Sequence, residues 1–218
     1  ELDWSVKDLI REITASRTYR MAATFDAVDY EKDPENRSLW RARPRRLDAE
    51  SLRDATLAVS GQLDLERPDG SVVATAGSGF VGRNLPETTF ETESPHRSVY
   101  LPIVRGAVPE SLALFDFSDP SLTSGKREIT TVPSQALYLM NSPFLMKAAD
   151  EFARRLHEER GLRGPELARE AFYRAFSRPP TEAEGAEAKA FIEQFLAAAK
   201  QQGMPDDEAR LLALTSFC

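Results

Sequence analysis

The sequence predicts a mainly α-helical protein: a multi-helix orthogonal bundle with a glycine-rich, partly extended insertion that has room for one small β-hairpin. Three observations predict it. Apolar residues recur at helical spacing through residues 1–63 and again through 131–218. Helix-start signals precede most of these runs. Between them, residues 64–130 lose that period and gain glycine and proline. We read residues 1–218 as a single domain fragment with helical, irregular and helical parts in that order. The chain opens at ELDWSVKDLI, already close to a helix, and stops at LLALTSFC. The expectation is an excised domain, so the lack of a visible signal peptide says little about the parent protein.

The first helix is predicted over Trp4–Ala15. Ser5 caps it, Asp8 follows three residues later, and Val6, Leu9, Ile10 and Ile13 share one face. Residues 24–36 read as an exposed acidic loop. Arg37, Arg41, Arg43, Arg45 and Arg46 then surround Trp40 and Pro44. Guanidinium forks suit an anion, but pairing with nearby acids such as Asp33 and Glu50 is the favoured reading.

A second helix is predicted over Leu47–Leu63. Asp48 is its N-cap, Leu52, Thr56, Val59 and Leu63 form its apolar face, and Gly61 lies near its C-terminal end. Asp69-Gly70 signals a turn, and Ser71–Thr75 suits a short strand of a hairpin. Gly77, Gly79 and Gly82 lack the preceding strand and following lysine of a phosphate loop, so a plain loop is expected.

Ser98–Arg105 reads as extended, with Pro102 confining it to an edge or to a segment laid across helices. Pro109–Phe115 suits one helical turn. Two tandem helices follow within Thr131–Met146. Pro133 starts one below the hydroxyls of Thr130 and Thr131; Asn141 stops it, Ser142 caps the next and Pro143 begins it. The second runs to about Glu159. Ala136–Met140, apolar nearly all round, is expected in the core. Three more helices are predicted: Pro165–Phe176, one opened by the Thr181/Glu184 capping box and running to about Gln202, and Pro205–Cys218.

Composition limits function. The chain has 218 residues, 41% of them hydrophobic and 29% charged, with a net charge of -7. That argues against broad binding of nucleic acid or anionic membrane. The single cysteine, Cys218, permits no intrachain disulfide and no cysteine-based metal or haem motif. No apolar run reaches the roughly 18 residues of a membrane span.

The candidate chemistry lies between His96 and Arg127. His96 is a possible base or ligand, but His157 sits among surface charges on a helix and offers no second ligand, so no metal is expected. Asp116, Asp119 and Ser121 have oxygen ligands but not the spacing of a calcium loop, and turn-making is favoured. Ser124–Arg127 resembles the end of a phosphate loop without its upstream glycine. Lys126, Arg127, Thr130 and Thr131 precede a helix N-terminus, where an anion can sit; the competing reading has the threonines capping and the cations paired. The candidate polar cluster is therefore His96, Arg97, Asp116, Asp119, Lys126 and Arg127, with no catalytic role assigned to any of them.

Three stretches carry a family resemblance: DPENRSLWRARPRRLDAESLRDATLAVSGQLD, HRSVYLPIVRGAVPESLALFDFSDPSLTSGKREITTVPSQALYLMNSPF and AFYRAFSRPPTEAE. Together they resemble the planctomycete-type domain of unknown function fifteen-fifty-three, the PSD-one domain. The resemblance covers nearly the whole chain, without the part of the domain upstream of WSVKDLI, and the closing helix looks cut after Cys218. It implies the C-terminal end of a large exported bacterial protein, an extracytoplasmic location, and upstream domains that often include a cytochrome c-like one. It implies no activity and no catalytic residues. The CxxCH haem motif is absent, so no cofactor is expected in this chain. The leading expectation is a binding or scaffolding module. The alternatives are an enzyme domain acting on carbohydrate (glycan) and an accessory domain docking a c-type cytochrome.

Overall fold

A computed structural model describes residues 4–70, 94–105, 108–160 and 165–218. The expected hairpin strand at Ser71–Thr75 and the Gly77–Gly82 loop lie outside these residues. The architecture is mainly α, with no strand among the described residues. The chain forms two compact units, residues 1–46 and 47–218.

In the first unit, α1 spans Val6–Ala15. Its start is the expected one: the Asp8 N–H donates to Ser5 Oγ at 3.3 Å. Its apolar face, Val6, Leu9, Ile10 and Ile13, is exposed. The stretch read as an acidic loop contains a second helix, α2, Ala27–Lys32. Asp26 caps it by accepting from the Val28 and Asp29 N–H groups. A long-range stack holds it in place. Phe25 meets Tyr30 and Trp40 at ring-centroid distances of 5.3 and 6.2 Å, and the Arg41 guanidinium lies 5.2 Å from the Phe25 centroid and 4.8 Å from that of Trp40. Six residues are too few to form a helix by propensity alone, so sequence periodicity had little to register.

The second unit contains α3 (Ala49–Ser60), the one-turn α4 (Glu110–Ala113), α5 (Pro133–Asn141), α6 (Pro143–Arg160), α7 (Pro165–Phe176), α8 (Glu182–Gln201) and α9 (Asp206–Phe217). A 3₁₀ turn occupies Ser98–Tyr100, where an extended run was expected; the Tyr100 N–H donates to the Arg97 carbonyl, and the chain is extended again at Leu101. α6 is central: α3, α5, α7 and α9 all pack on it. One core cluster joins Phe152, Ala153 and Leu156 of α6 to Ala171 of α7 and Leu214 of α9. A second joins Ala49, Leu101, Leu112 and Phe115, with Tyr138 edge-on to Phe115 at 5.9 Å.

Local signals place the helix ends. Asp48 accepts from the Ser51 N–H, bonds that hold its carboxyl below the usual carboxylate range. Ser142 and Pro143 separate α5 from α6 as expected. The capping box opening α8 is present in both halves. Arg178 completes that corner, gripping both Glu184 carboxylate oxygens at 2.7 Å and lying over Phe172 and Phe176.

Two expectations about packing differ. The most buried face of α3 is Ala49, Arg53, Leu57 and Ser60, rotated from the predicted Leu52, Thr56, Val59 and Leu63. Ala136–Met140 is not central core: Leu137 is 60%, Leu139 47% and Met140 71% exposed. Helix α5 is fastened through Gln135 and Tyr138 and leaves its remaining apolar side to solvent.

Two predictions follow from local geometry. Gly61 closes α3 at φ 78°, and a Cβ there would fall 1.1 Å from Arg155 Nη1. Gly61→Ala combines left-handed strain with displacement of that guanidinium, so denaturant unfolding should show a loss of about 1–3 kcal/mol. Glu184 is held at about 2, first by the Arg178 fork and then by the Thr181 N–H. Its folded value is depressed, so its stabilising contribution is complete above the ordinary carboxylate value and is lost as pH falls through about 2. Carboxyl titration by NMR should show Glu184 moved up toward the ordinary range in Arg178→Ala, with the Thr181 N–H still holding it somewhat low.

Candidate functional site

The site is built on one face of α3, where Glu50, Arg53 and Asp54 project together at spacings of three and four residues. Arg53 is buried, 5% exposed. Its Nη1 donates to the His96 carbonyl at 3.0 Å and to Ser98 Oγ at 3.3 Å, and its Nη2 donates to the Ser94 carbonyl. Burial lowers its pKa from the usual guanidinium value, yet a guanidinium stays charged. The nearby Asp54 carboxylate, 3.8 Å from Nη1, supplies part of the compensating charge.

Asp54 also fixes the 3₁₀ turn. Its Oδ1 accepts from the Ser98 N–H at 2.7 Å and from the Ser98 hydroxyl at 2.6 Å. Ser98 is 4% exposed, so its hydroxyl is held inside the fold and not presented to a substrate. Arg97 reaches the other Asp54 oxygen at 3.7 Å from the outside.

His96 lies against Asp64. The two residues form an isolated parallel bridge, with the Asp64 N–H donating to the Pro95 carbonyl at 2.9 Å. His96 Nδ1 is 3.5 Å from Asp64 Oδ2, near enough to pair when the imidazole is protonated but without hydrogen-bond geometry. That nitrogen is buried and has no hydrogen-bond partner among the described residues. Chemically, this is a carboxylate beside an imidazole, the arrangement that can accept a proton and stabilise the resulting cation.

Arg127 arrives from a different segment. Its guanidinium forks onto Glu50 at 2.6 and 2.7 Å and lies 5.0 Å from the Phe117 centroid. The Glu50 fork raises the Arg127 pKa. Asp116 sits at φ 63° and accepts from both the Thr130 N–H and the Thr130 hydroxyl at 2.8 Å. Thr130 thus binds Asp116 and does not cap α5; Gln135 reaches back instead, accepting from the Val132 N–H and donating to the Leu114 carbonyl. Asp119 accepts from the Ser121 N–H at 2.7 Å, a turn-making bond. Lys126 is exposed, and its carbonyl accepts from the Ser124 hydroxyl.

Four of the six candidates therefore fall into three local groups, and two lie outside them. His96 and Arg97 meet Asp64 and Asp54, Arg127 meets Glu50, and Asp116 meets Thr130, while Asp119 and Lys126 lie in turns. Glu50 and Asp54, one helical turn apart on α3, connect the first two groups. Sequence reading missed Arg53 and Asp54, and it named Glu50 as a partner for the arginines of residues 37–46, whereas the structure pairs it with Arg127. The available signal was an arginine four residues from both Ala49 and Leu57, on what proves to be the buried side of the helix. Among the described residues no three His, Cys, Asp or Glu side chains gather as metal ligands.

The arginine-rich stretch of the first unit surrounds a surface cleft of about 530 Å³, but its cations are engaged. Arg37 pairs with the Glu35 carboxylate, Arg43 donates to the Glu35 carbonyl, and Arg41 is stacked on Trp40. Asp33 accepts from the Ser38 and Arg37 N–H groups, which lower its pKa, and Asn36 exchanges two hydrogen bonds with the Arg41 backbone.

Removing Arg53 tests the centre of this arrangement. Arg53→Met keeps much of the volume but leaves two carbonyls without their donor and Asp54 with Arg97 alone among the described cations. Denaturant unfolding should lose about 2–4 kcal/mol, and backbone amide exchange should rise first around residues 94–98.

Comparison with known proteins gives one match. The family model described as protein of unknown function (DUF1553), PSD1, matches residues 1–192. No curated protein and no solved structure matches. A match over that span, running through α3, the Arg53 cage and most of the helices packed on it, establishes the relationship: the chain belongs to the PSD1 family of proteins of unknown function.

Proposed function

We propose that this chain is a binding or scaffolding module of a larger exported bacterial protein. The observation that carries the reading is the apolar surface of α5 and its neighbours. Leu137, Leu139, Met140 and Met146 are exposed on tandem helices. Fully burying a side chain of this size is worth about 1.5–3 kcal/mol, and contiguous apolar patches on soluble proteins mark interaction sites. The occupant we favour is an upstream domain of the same parent protein, a cytochrome c-like domain among the possibilities. Among the described residues no helix is long and apolar enough to cross a membrane.

One observation favours the enzyme reading: the buried, hydrogen-bond-free His96 Nδ1 beside Asp64. A carbohydrate-active domain would use that pair as its proton acceptor. Against it, Arg97, Asp116 and Arg127 are occupied by Asp54, Thr130 and Glu50.

Binding of the chain to its own upstream region, supplied as a separate polypeptide, discriminates the two. The expected result is saturable binding that weakens at least tenfold in Leu137→Glu/Met140→Glu, with the unfolding midpoint unchanged. Absence of binding at low salt, or turnover of a glycan panel that vanishes in His96→Ala, would overturn the scaffold reading.

A further inference from the structure

A second feature lies far along the chain from the Arg53 cage, where α6, α7, α8 and α9 enclose a cleft of about 530 Å³. That is within the range of small-molecule sites, which run from roughly 300 to 1,000 Å³. Its deep wall is apolar: Leu214 and Ala168 are buried, and Leu167, Ile192 and Leu196 are half-buried beside them. Its exposed edge is cationic. Arg169, Lys189, Lys200 and Arg210 line it, against one acid, Glu193, among the described lining residues. This excess of positive charge belongs to a chain whose net charge is -7, so it is local to the cleft.

The edge cations are only partly neutralised. Lys189 is 3.8 Å from Glu193, and Lys200 is 3.1 Å from Asp206. Arg169 lies 5.7 Å from the Tyr173 ring centroid. Arg210 has no carboxylate partner among the described residues. His157, half-buried, completes the wall from α6. An apolar pocket with cations along its mouth suits a ligand with an apolar body and one anionic head.

We propose that this cleft is a binding site for a monocarboxylate with a medium-length alkyl chain, the chain against Leu167, Ile192, Leu196 and Leu214 and the carboxylate on Arg210. The site is separate from the α5 surface and does not depend on what covers it. Much of its lining, from Glu193 to Leu214, lies beyond the residues matched by the family model.

Gly185 supplies a selective test. It lines the cleft, and a Cβ added there would meet nothing within 4 Å beyond its own helix. Gly185→Leu therefore adds a side chain at the cleft wall whose Cβ has open space, and leucine is favoured over glycine inside a helix. Calorimetric titration of the whole chain with decanoate, below its micelle concentration, should show one saturable site with a Kd on the order of 10–100 µM. Decyltrimethylammonium should bind at least tenfold more weakly. Gly185→Leu should abolish decanoate binding, and Arg210→Glu should weaken it at least tenfold, both with an unchanged helical circular-dichroism signal. Equal binding of the cationic amphiphile, no decanoate heat, or decanoate binding unaffected by Gly185→Leu would overturn the proposal. So would a change in oligomeric state on Gly185→Leu in place of a change in ligand binding, which would assign the cleft to a second copy of the chain.

Discussion

The second unit depends on one buried cation. Arg53 sits inside α3 where an apolar side chain would be expected, and its guanidinium binds the carbonyls of Ser94 and His96 and the hydroxyl of Ser98. Residues 94–98 lie in no helix longer than one turn and, among the described residues, have no strand neighbour beyond the bridge at Asp64, so their backbone acceptors need partners from elsewhere. A guanidinium offers several donors in a rigid fork and satisfies them together. Asp54 then balances part of the charge and, through Ser98, fixes the direction in which the chain leaves. A lysine would supply the charge at a single point but not the fork.

The Glu50–Arg127 pair extends the same device. Glu50 and Asp54 stand one turn apart, so the helix that anchors residues 94–98 also anchors the loop before α5. Exposed ion pairs contribute little individually. This one differs by being bidentate, with the guanidinium also against Phe117. Together with Asp116 holding Thr130, it accounts for much of the polar character of the His96–Arg127 segment without invoking chemistry. His96 remains the exception, because its buried Nδ1 makes no hydrogen bond among the described residues that would explain its position.

What could be read from the sequence follows from the range of the interactions. Caps are local. Ser5, Asp48, Thr181, Ser142 and Pro143 act within one turn, and each marks its helix end as expected. Gly61 is legible for the same reason: a left-handed residue ends a helix wherever it falls. The misread elements depend on distant residues. Helix α2 is held by Trp40 and Arg41, well beyond the window in which periodicity is judged. The buried face of α3 is set by carbonyls some forty positions on. In the candidate cluster, residue types suggested convergence, whereas the partners Glu50, Asp54 and Thr130 divide the residues among separate contacts.

Helix α5 shows why residue type alone does not settle what is core. Ala136–Met140 is apolar enough for any interior, but burial also needs a surface to pack against. Within the chain, α5 packs on α6, with Tyr138 and Gln135 facing inward. An apolar side with no packing partner among the described residues is costly in water. Surface polarity would have been easy to supply at Leu137, Leu139 and Met140, since none of them contributes to either core cluster. On the scaffold reading proposed above, their apolar character serves the surface that covers α5. The same reasoning separates the two surfaces of this unit: α5 presents an outward apolar side suited to another folded surface, whereas the α6–α9 cleft is concave, charged at its edge and suited to a small ligand.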